Sequence, residues 1–149
     1  MGLFRRIMHS TDFSKASGRA FEMAVDLAKQ NKAELLLVHV LTPVIPYAGD
    51  DAYADPTLYV EIEKKAREDA RSSRAALEKK VKTSRVNVKT LLLEGTPYDR
   101  VVRAAKSRRA ELIVMGTHGR TGLTKLLMGS VAGRVISLAH CPVMTVRGK

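Results

Sequence analysis

The amino-acid sequence predicts a layered α/β fold with a parallel β-sheet, in a single domain spanning residues 1–149. Five short apolar runs alternate with four longer segments that carry apolar residues at helical spacing, which is typical of repeated βαβ units. The runs at 35–41 and 112–115 are almost purely apolar, as expected for parallel strands covered on both faces. A chain of this length can bury roughly 70% of its unfolded surface in one core.

The first βαβ unit is predicted at the start of the chain. Residues 3–10 form the first strand, although two arginines interrupt its apolar pattern. Ser14 is a suitable N-cap for a helix that ends near Asn31 and carries one apolar stripe. The central strand at residues 35–41 follows.

A loop, a long helix and an edge strand are predicted next. Prolines, a glycine and acidic residues mark residues 42–56 as a loop, and a simple crossover is favoured over a lid that covers a ligand. Residues 57–83 have apolar residues inside and opposite charges four residues apart outside, as in a helix that covers the sheet. Residues 86–93 alternate more strongly, which indicates a half-exposed edge strand.

The second half of the chain repeats the strand and helix pattern. Thr96 is a suitable N-cap, Pro97 suits the first helical position, and Asp99 places an acid in the first turn. A helix is therefore predicted to begin here and to end near residue 109. The strand at 112–115 comes directly after it.

A glycine-rich segment separates this fourth strand from the last helix. Gly116 and Gly119 follow the strand, and Gly129 precedes Ser130, where apolar residues at helical spacing begin. Gly116 and Gly119 can adopt positive φ and let a ligand approach the backbone closely. A strand, a glycine loop and a helix N-terminus in this order predict an anion site, because the first N–H groups of a helix are unpaired.

Two common phosphate-binding motifs are excluded by the spacing. The P-loop requires a lysine directly after its last glycine, and Ser130 follows Gly129 here. The dinucleotide motif requires a tighter glycine cluster and an acid roughly 20 residues later. No Asp or Glu occurs between Leu112 and Lys149, so such an acid is absent from this part of the sequence.

The chain closes with a short strand. The last helix is predicted to end before Pro142, and residues 143–146 form the fifth strand. Cys141 is the only cysteine, so it cannot form an internal disulfide and is expected to be a buried packing thiol. The sequence predicts no metal site built from protein side chains.

The glycine spacing resembles the nucleotide-binding motif of the universal stress protein family, in its ATP-binding branch. The resemblance extends to IMHSTDFS at 7–14, LLLVHV at 35–40 and CPVMTV at 141–146, and so covers nearly the whole chain. It implies an open five-stranded parallel sheet of order 3-2-1-4-5 with helices on both faces, a Rossmann-like, adenine nucleotide α-hydrolase-like fold. In that order the first and fourth strands end at one crevice, where open sheets bind ligands.

The resemblance also implies which residues hold an adenine nucleotide. Asp12 would hold the ribose or the edge of the base, and Val40 would contact adenine. Ser10 stands where the family often has proline. The adenosine side would comprise Ser10, Thr11, Asp12, Val40, Met115 and Gly116. The phosphates would be held by Gly119, Arg120, Gly129, Ser130 and Val131.

Other groups near this crevice have less defined roles. His118 either contacts phosphate or faces solvent, and His39 is expected to be a satisfied core histidine. Arg120 and Lys125 could pair with the β- and γ-phosphates. The expected ligand is ATP, or else ADP or AMP, with Mg²⁺ or Mn²⁺ held mainly by the phosphates.

Catalysis has weaker support than binding. Phosphoryl transfer usually needs a placed metal and a residue that orients the nucleophile, whereas Asp12 is the only obvious acid at the crevice and has no paired base. The loop also lacks the serine-glycine-glycine signature of related α-hydrolase folds. We therefore expect a nucleotide-binding regulatory or signalling protein of the stress response. No catalytic residue is assigned, and slow ATP hydrolysis or autophosphorylation stays open.

Charge and hydropathy narrow the expected partners and location. The formal charge is +11, but cations and acids interleave along the predicted long helix, and tryptophan is absent. Because no familiar nucleic-acid motif occurs either, binding to nucleic acid is disfavoured. No apolar run is long enough to cross a membrane, and the start of the chain does not resemble a signal peptide, so we expect a cytoplasmic protein.

The resemblance finally implies a homodimer. The last strand (Val143, Met144, Thr145 and Val146) would pair antiparallel with the same strand of a second subunit. Two other classes stay open at this point: a nucleotide-independent interaction protein of the same fold, and a basic nucleic-acid-binding module.

Overall fold

The computed structural model describes residues 2–43, 56–118 and 128–148. Its five strands, in chain order, are β1 Arg6–Ser10, β2 Glu34–Leu41, β3 Val88–Glu94, β4 Leu112–Gly116 and β5 Val143–Val146. They form one sheet of order β3-β2-β1-β4-β5, and all neighbouring strands are parallel. The predicted order 3-2-1-4-5 is confirmed.

Four helices cover the two faces of the sheet in pairs. They are α1 Gly18–Asn31, α2 Pro56–Thr83, α3 Pro97–Ser107 and α4 Ser130–Leu138. Residues of α1 and of the last turns of α2 pack into the core on one face, and residues of α3 and α4 pack into the core on the other. The central strands are therefore buried on both sides, which explains their continuous apolar sequence. The edge strand β3 has no fully buried residue, as its alternating sequence predicted.

The start of the chain differs from the prediction of a strand from residue 3. β1 begins only at Arg6, because its neighbour β2 begins at Glu34, directly opposite Arg6. Leu3 has no strand beside it and is 81% exposed. Ser14 caps a single 3-10 turn at Lys15–Ser17, and α1 begins after that turn.

Two further predictions concern the loop at residues 42–56 and the burial of Cys141. Most of the predicted loop lies outside the described residues, so the prediction of a crossover rather than a lid falls on residues that are not described. Cys141 is only partly buried, because it lies in the connection before β5 and packs against the core from one side. Desolvation raises the pKa of its thiol. Within the described ranges, no helix is long and apolar enough to cross a membrane.

His9 is a fully buried histidine in the middle of β1. Its ring centre lies 5.8 Å from that of Phe21 on α1, and its Nδ1 lies 2.9 Å from the carbonyl oxygen of Val114 on β4. A carbonyl only accepts hydrogen bonds, so Nδ1 carries the proton and donates it. The Nε2 atom is buried and has no hydrogen-bond partner among the described residues. Desolvation lowers the pKa of His9 to about 4, although the bond to Val114 and the charge of Asp12 oppose the shift.

We predict that His9 makes the fold sensitive to acid. An unfolded chain takes up a proton on histidine near pH 6.5, whereas folded His9 does so only near pH 4, so its contribution to stability is complete above pH 6.5 and is lost as the pH falls toward 4. The loss amounts to about 3 kcal/mol at the lower end. Urea unfolding at a series of pH values measures how the free energy of unfolding changes with pH.

His9→Asn tests the assignment, because it keeps a side-chain N–H donor and removes the titration. The variant should show a shallower fall of unfolding free energy between pH 6.5 and 4.5. The matched control is His140→Asn, which removes an exposed histidine and should leave the slope unchanged. Equal slopes in the wild type and His9→Asn would contradict the assignment.

Candidate functional site

The described residues enclose a cavity of about 500 Å³ at the carboxyl ends of β1 and β4. Ser10 pairs with Met115 across these two strands, so the segments that leave them start side by side. The segment after β1 leads to α1 on one face of the sheet, and the segment after β4 leads to α4 on the other face. Open parallel sheets bind ligands at such a point, because the diverging connections leave a crevice between them.

Ten of the twelve residues predicted to bind a nucleotide line this cavity. Sequence reasoning placed them at the ends of three strands and at the start of one helix, and the fold brings these places together. The ten are Ser10, Thr11, Asp12, Val40, Met115, Gly116, His118, Gly129, Ser130 and Val131. The other two, Gly119 and Arg120, lie outside the described residues, as does Lys125.

The turn after β1 is held by hydrogen bonds from short polar side chains. Oδ1 of Asp12 accepts from the backbone N–H of Ser14 at 2.9 Å and from its hydroxyl at 2.5 Å. The hydroxyl oxygen of Thr11 accepts from the backbone N–H of Phe13 at 3.0 Å. Phe13 has φ of 63°, a left-handed conformation that costs a non-glycine residue about 1–2 kcal/mol. The polar bonds on either side of Phe13 offset that cost and hold Asp12 at the cavity.

His39 belongs to this cavity rather than to the core. The sequence predicted a satisfied core histidine, but His39 is half-buried and lines the cavity, because it lies close to the carboxyl end of β2. Its Nδ1 lies 2.7 Å from the carbonyl oxygen of Thr11, so Nδ1 is the protonated nitrogen and the donor. Its ring centre lies 4.3 Å from that of Phe13. Through this hydrogen bond and ring contact, His39 stabilises the turn that contains the left-handed Phe13. Its position next to Val40 was the signal that sequence reasoning missed.

Thr117 lies at the start of the glycine-rich segment, and the sequence analysis did not assign it to the site. Its carbonyl oxygen accepts from the backbone N–H of Gly129 at 2.6 Å, so the two ends of the segment meet. Its own N–H bonds to the carbonyl of Val146 on β5 at 3.0 Å, and its hydroxyl lies 3.0 Å from Nδ1 of His118. His118 lines the cavity, and its Nδ1 atom is within hydrogen-bond distance of the Thr117 hydroxyl.

Gly116 does not adopt the positive φ that glycine allows. Among the described glycines only Gly95 has positive φ, and Gly129 is extended with φ −59° and ψ 151°. A Cβ added to Gly116 would lie 3.4 Å from the nearest atom, the carbonyl oxygen of His118, which is ordinary contact. Neither the torsion angles nor the described neighbours of Gly116 therefore require glycine at this position.

The amino end of α4 forms one wall of the cavity. Gly129 is its N-cap and carries no side chain that could satisfy the first N–H groups of the helix. The cavity lining continues through Ser130 and Val131 to Ala132. Unpaired helix N–H groups at a cavity wall are donors for an anion.

The described part of the chain builds no metal site of three or more His, Cys, Asp or Glu side chains. Asp12 is the one carboxylate among the described residues that line the cavity. A divalent cation in this place would take most of its oxygen ligands from a bound ligand and from water.

Comparison with known proteins identifies the group to which the chain belongs. Residues 3–147 match the model of the universal stress protein family. The chain is a member of the universal stress protein family. A relative from Methanocaldococcus jannaschii, universal stress protein MJ0531, is 38% identical over 145 residues, which are 97% of this chain and 83% of the relative.

Solved structures of universal stress proteins share the fold. The structure of protein MJ0577 matches with a TM-score of 0.83 and 26% identity and covers 99% of this chain and 98% of its own. Universal stress protein UspA from Lactobacillus plantarum matches with a TM-score of 0.79, also at 26% identity, over 96% and 97% of the two chains. Three family structures at 19–22% identity are described with cAMP, AMP or dAMP bound, and their TM-scores are 0.67–0.72. At that identity the likeness shows the fold.

We predict that removal of the His39 donor loosens the turn after β1. The lost hydrogen bond contributes about 1 kcal/mol, so His39→Leu should raise amide hydrogen exchange of residues 11–17 roughly fivefold. His39→Asn carries an N–H near the place of Nδ1 and should restore the wild-type exchange. Peptides from α3 serve as the internal control in the same mass-spectrometric measurement. Unchanged exchange in His39→Leu would show that the turn does not depend on this histidine.

Proposed function

We propose that the cavity binds an adenine nucleotide, with ATP as the principal ligand and ADP or AMP as alternatives. The observation that carries the proposal is the convergence of ten residues, assigned from the family resemblance, on one cavity that ends at a helix N-terminus. Its volume of about 500 Å³ falls within the roughly 300–1,000 Å³ of small-molecule sites. The family structures with cAMP, AMP and dAMP support this class of ligand.

The adenosine moiety is proposed to lie over the ends of β1, β2 and β4. Val40 and Met115 are both buried and line the cavity, where they offer apolar surface to the adenine ring. The carboxylate of Asp12 only accepts hydrogen bonds, so it suits the ribose hydroxyls or the adenine amino group, which donate them. Ser10 and Thr11 complete this side through the backbone that carries Asp12.

The phosphates are proposed to lie at the amino end of α4. The helix dipole contributes about 0.3–1 kcal/mol there. Each hydrogen bond to a charged group contributes about 1.5–3 kcal/mol, so the N–H groups of Ser130 and Val131 and the hydroxyl of Ser130 outweigh the dipole. Gly119, Arg120 and Lys125 are assigned to the same end from the sequence. Mg²⁺ or Mn²⁺ would be held mainly by the phosphates.

We propose that occupancy by the nucleotide, rather than rapid turnover, is what the protein contributes to the stress response. Both bonds to Oδ1 of Asp12 come from Ser14 and stabilise the turn, which is a structural use of the acid. No catalytic residue is assigned, and slow hydrolysis or autophosphorylation is compatible with the site. A cytoplasmic location stays a prediction from the sequence.

We propose a homodimer through the outer edge of β5. The carbonyls of Pro142 and Val146 bond to backbone N–H groups of Ile113 and Thr117, on the β4 side. Because backbone polar groups alternate in direction along a strand, the N–H and C=O groups of Val143 and Thr145 point away from β4. Unpaired edge groups of this kind are suited to pairing with a second strand, such as β5 of another subunit.

We predict that Ser130→Pro weakens nucleotide binding about 10-fold to 100-fold without unfolding α4. Ser130 is the first helical residue, where proline is favoured, and Gly129 at φ −59° and ψ 151° has the extended conformation that a residue before proline requires. The substitution removes one N–H and one hydroxyl, and the range follows from about 1.5–3 kcal/mol for the charged contact. Titration calorimetry with ATP measures the affinity.

Ser130→Ala is the matched control, because it removes the hydroxyl and keeps the N–H. Its affinity for ATP should lie between that of the wild type and that of Ser130→Pro. Mass spectrometry of nucleotide released from freshly purified wild-type protein gives the identity of the ligand. A folded Ser130→Pro variant with wild-type affinity would refute the phosphate position. A wild-type protein that is empty and also fails to bind added ATP would move the function to protein or nucleic-acid contacts.

We predict that Thr145→Pro yields a folded monomer. Proline removes an N–H that points outward and places its ring where a second strand would pair, whereas the bonds between β4 and β5 stay intact. Sedimentation velocity measures the mass, and circular dichroism checks the fold. The control is Thr90→Pro on the opposite edge strand β3, which should leave any dimer through β5 intact if the variant folds. A dimeric Thr145→Pro protein would exclude this interface.

A further inference from the structure

The end of the sheet opposite the nucleotide cavity collects positive charge. All five strands are parallel, so α1, α2 and α3 end where the strands begin, and we call this end the amino edge. It comprises residues 2–6, 32–34, 84–87 and 108–111 with the last turns of these three helices. Its cations are Arg5, Arg6, Lys29, Lys32, Lys80, Lys82, Arg85, Lys106, Arg108 and Arg109, and its acids are Glu34 and Glu111.

The two acids of the amino edge are already engaged. Glu34 lies 2.9 Å from the guanidinium of Arg6 and 3.7 Å from the ammonium of Lys89. Glu111 accepts from the backbone N–H groups of Arg5 at 2.7 Å and Arg6 at 3.2 Å. Most of the ten cations therefore have no acid of the amino edge to neutralise them. Cations gathered on one surface raise its local positive potential, which attracts anions.

A cleft of about 720 Å³ lies in this charged surface, between the ends of α1 and α2. Arg5, Lys29, Lys32 and Arg85 line it, together with the neutral polar residues Thr83, Ser84 and Asn87. Glu34 lines it as well, and its carboxylate is paired with Arg6 and Lys89. Cations and neutral hydrogen-bond donors side by side are the groups that hold phosphate oxygens. The cleft is thus suited to an anion rich in oxygen.

Three cations of the amino edge occupy positions that favour glycine. Lys32, Arg85 and Arg109 have φ of 51°, 60° and 56° and lie within two residues after the ends of α1, α2 and α3. Glycine adopts this left-handed conformation without strain and is the usual residue there. Compensation of a helix dipole requires a charge near the last turn, which Lys29, Lys82 and Lys106 already supply. Lys32, Arg85 and Arg109 therefore add positive charge beyond what the helix dipoles require.

We propose that the amino edge binds a chain of phosphate groups through charge and hydrogen bonds, without contact to bases. Phe4 is the aromatic residue of this edge, and it is partly buried against the core. Because base stacking needs exposed aromatic rings, phosphates rather than bases are the proposed contacts. The cations are dispersed along the sequence, which disfavoured nucleic acid, but folding gathers them. β1 spans five residues, so the two ends of the sheet are about 16 Å apart and both sites can be filled together.

The test uses the full chain saturated with ATP and two fluorescent probes, a DNA duplex of about 20 base pairs and linear inorganic polyphosphate of equal charge. Anisotropy between about 50 and 200 mM salt measures affinity and its salt dependence. The variant Lys32→Gly/Arg85→Gly removes two cations and relieves two left-handed residues, so its thermal midpoint should not fall. The matched control Lys64→Ala/Lys65→Ala removes two exposed cations from α2.

We expect binding of one or both probes, with the slope of log affinity against log salt lowered by about two in the glycine variant and unchanged in the control. Binding of the duplex alone, of polyphosphate alone, or of both identifies the source of the phosphate chain. Equal weakening in both variants would show attraction to net charge and overturn the proposal. Equal displacement by polyglutamate, or no binding of either probe, would overturn it as well.

Discussion

The parallel pairing of β1 with β4 is the contact on which the rest of the molecule depends. It joins two βα segments that are distant in sequence and sends their following helices to opposite faces. Ser10 and Met115 lie side by side only because of this pairing, and the cavity opens beyond them. Both strands are buried on both faces, so their apolar side chains stabilise the sheet at the same place where the backbone ends meet.

The site is built from polar groups held by other polar groups rather than by close apolar packing. The turn after β1 tolerates a left-handed Phe13 because Asp12, Thr11 and His39 each hold part of its backbone or ring. The glycine-rich segment is closed by a single backbone bond between Gly129 and Thr117. Such a framework fixes the rim of the cavity and leaves its interior free for a ligand, which is consistent with pre-organised binding.

The two ends of the sheet differ in electrostatic character because every strand runs in the same direction. At the carboxyl end, Asp12 lies near a helix that presents its amino end. At the amino end, three helices terminate together, and cations that are spread through the sequence become neighbours. Parallel topology alone therefore places the cavity and the cationic amino edge at opposite ends of the sheet.

Local information in the sequence determined the elements, the buried strands and the glycine-rich segment before α4, whereas the candidate site residues were assigned from family resemblance. Apolar periodicity, the proline after Thr96 and the glycine before Ser130 act within one or two turns, so pattern alone located them. Strand order came from family resemblance, because periodicity carries no information on which strands pair. Only the tertiary structure decided the role of His39, the closure by Thr117, the ordinary torsion angles of Gly116 and the gathering of Lys32 with Arg85. Each of these four features depends on contacts between residues that are far apart in sequence. Burial and electrostatic potential depend on all such neighbours together, so local pattern does not determine them.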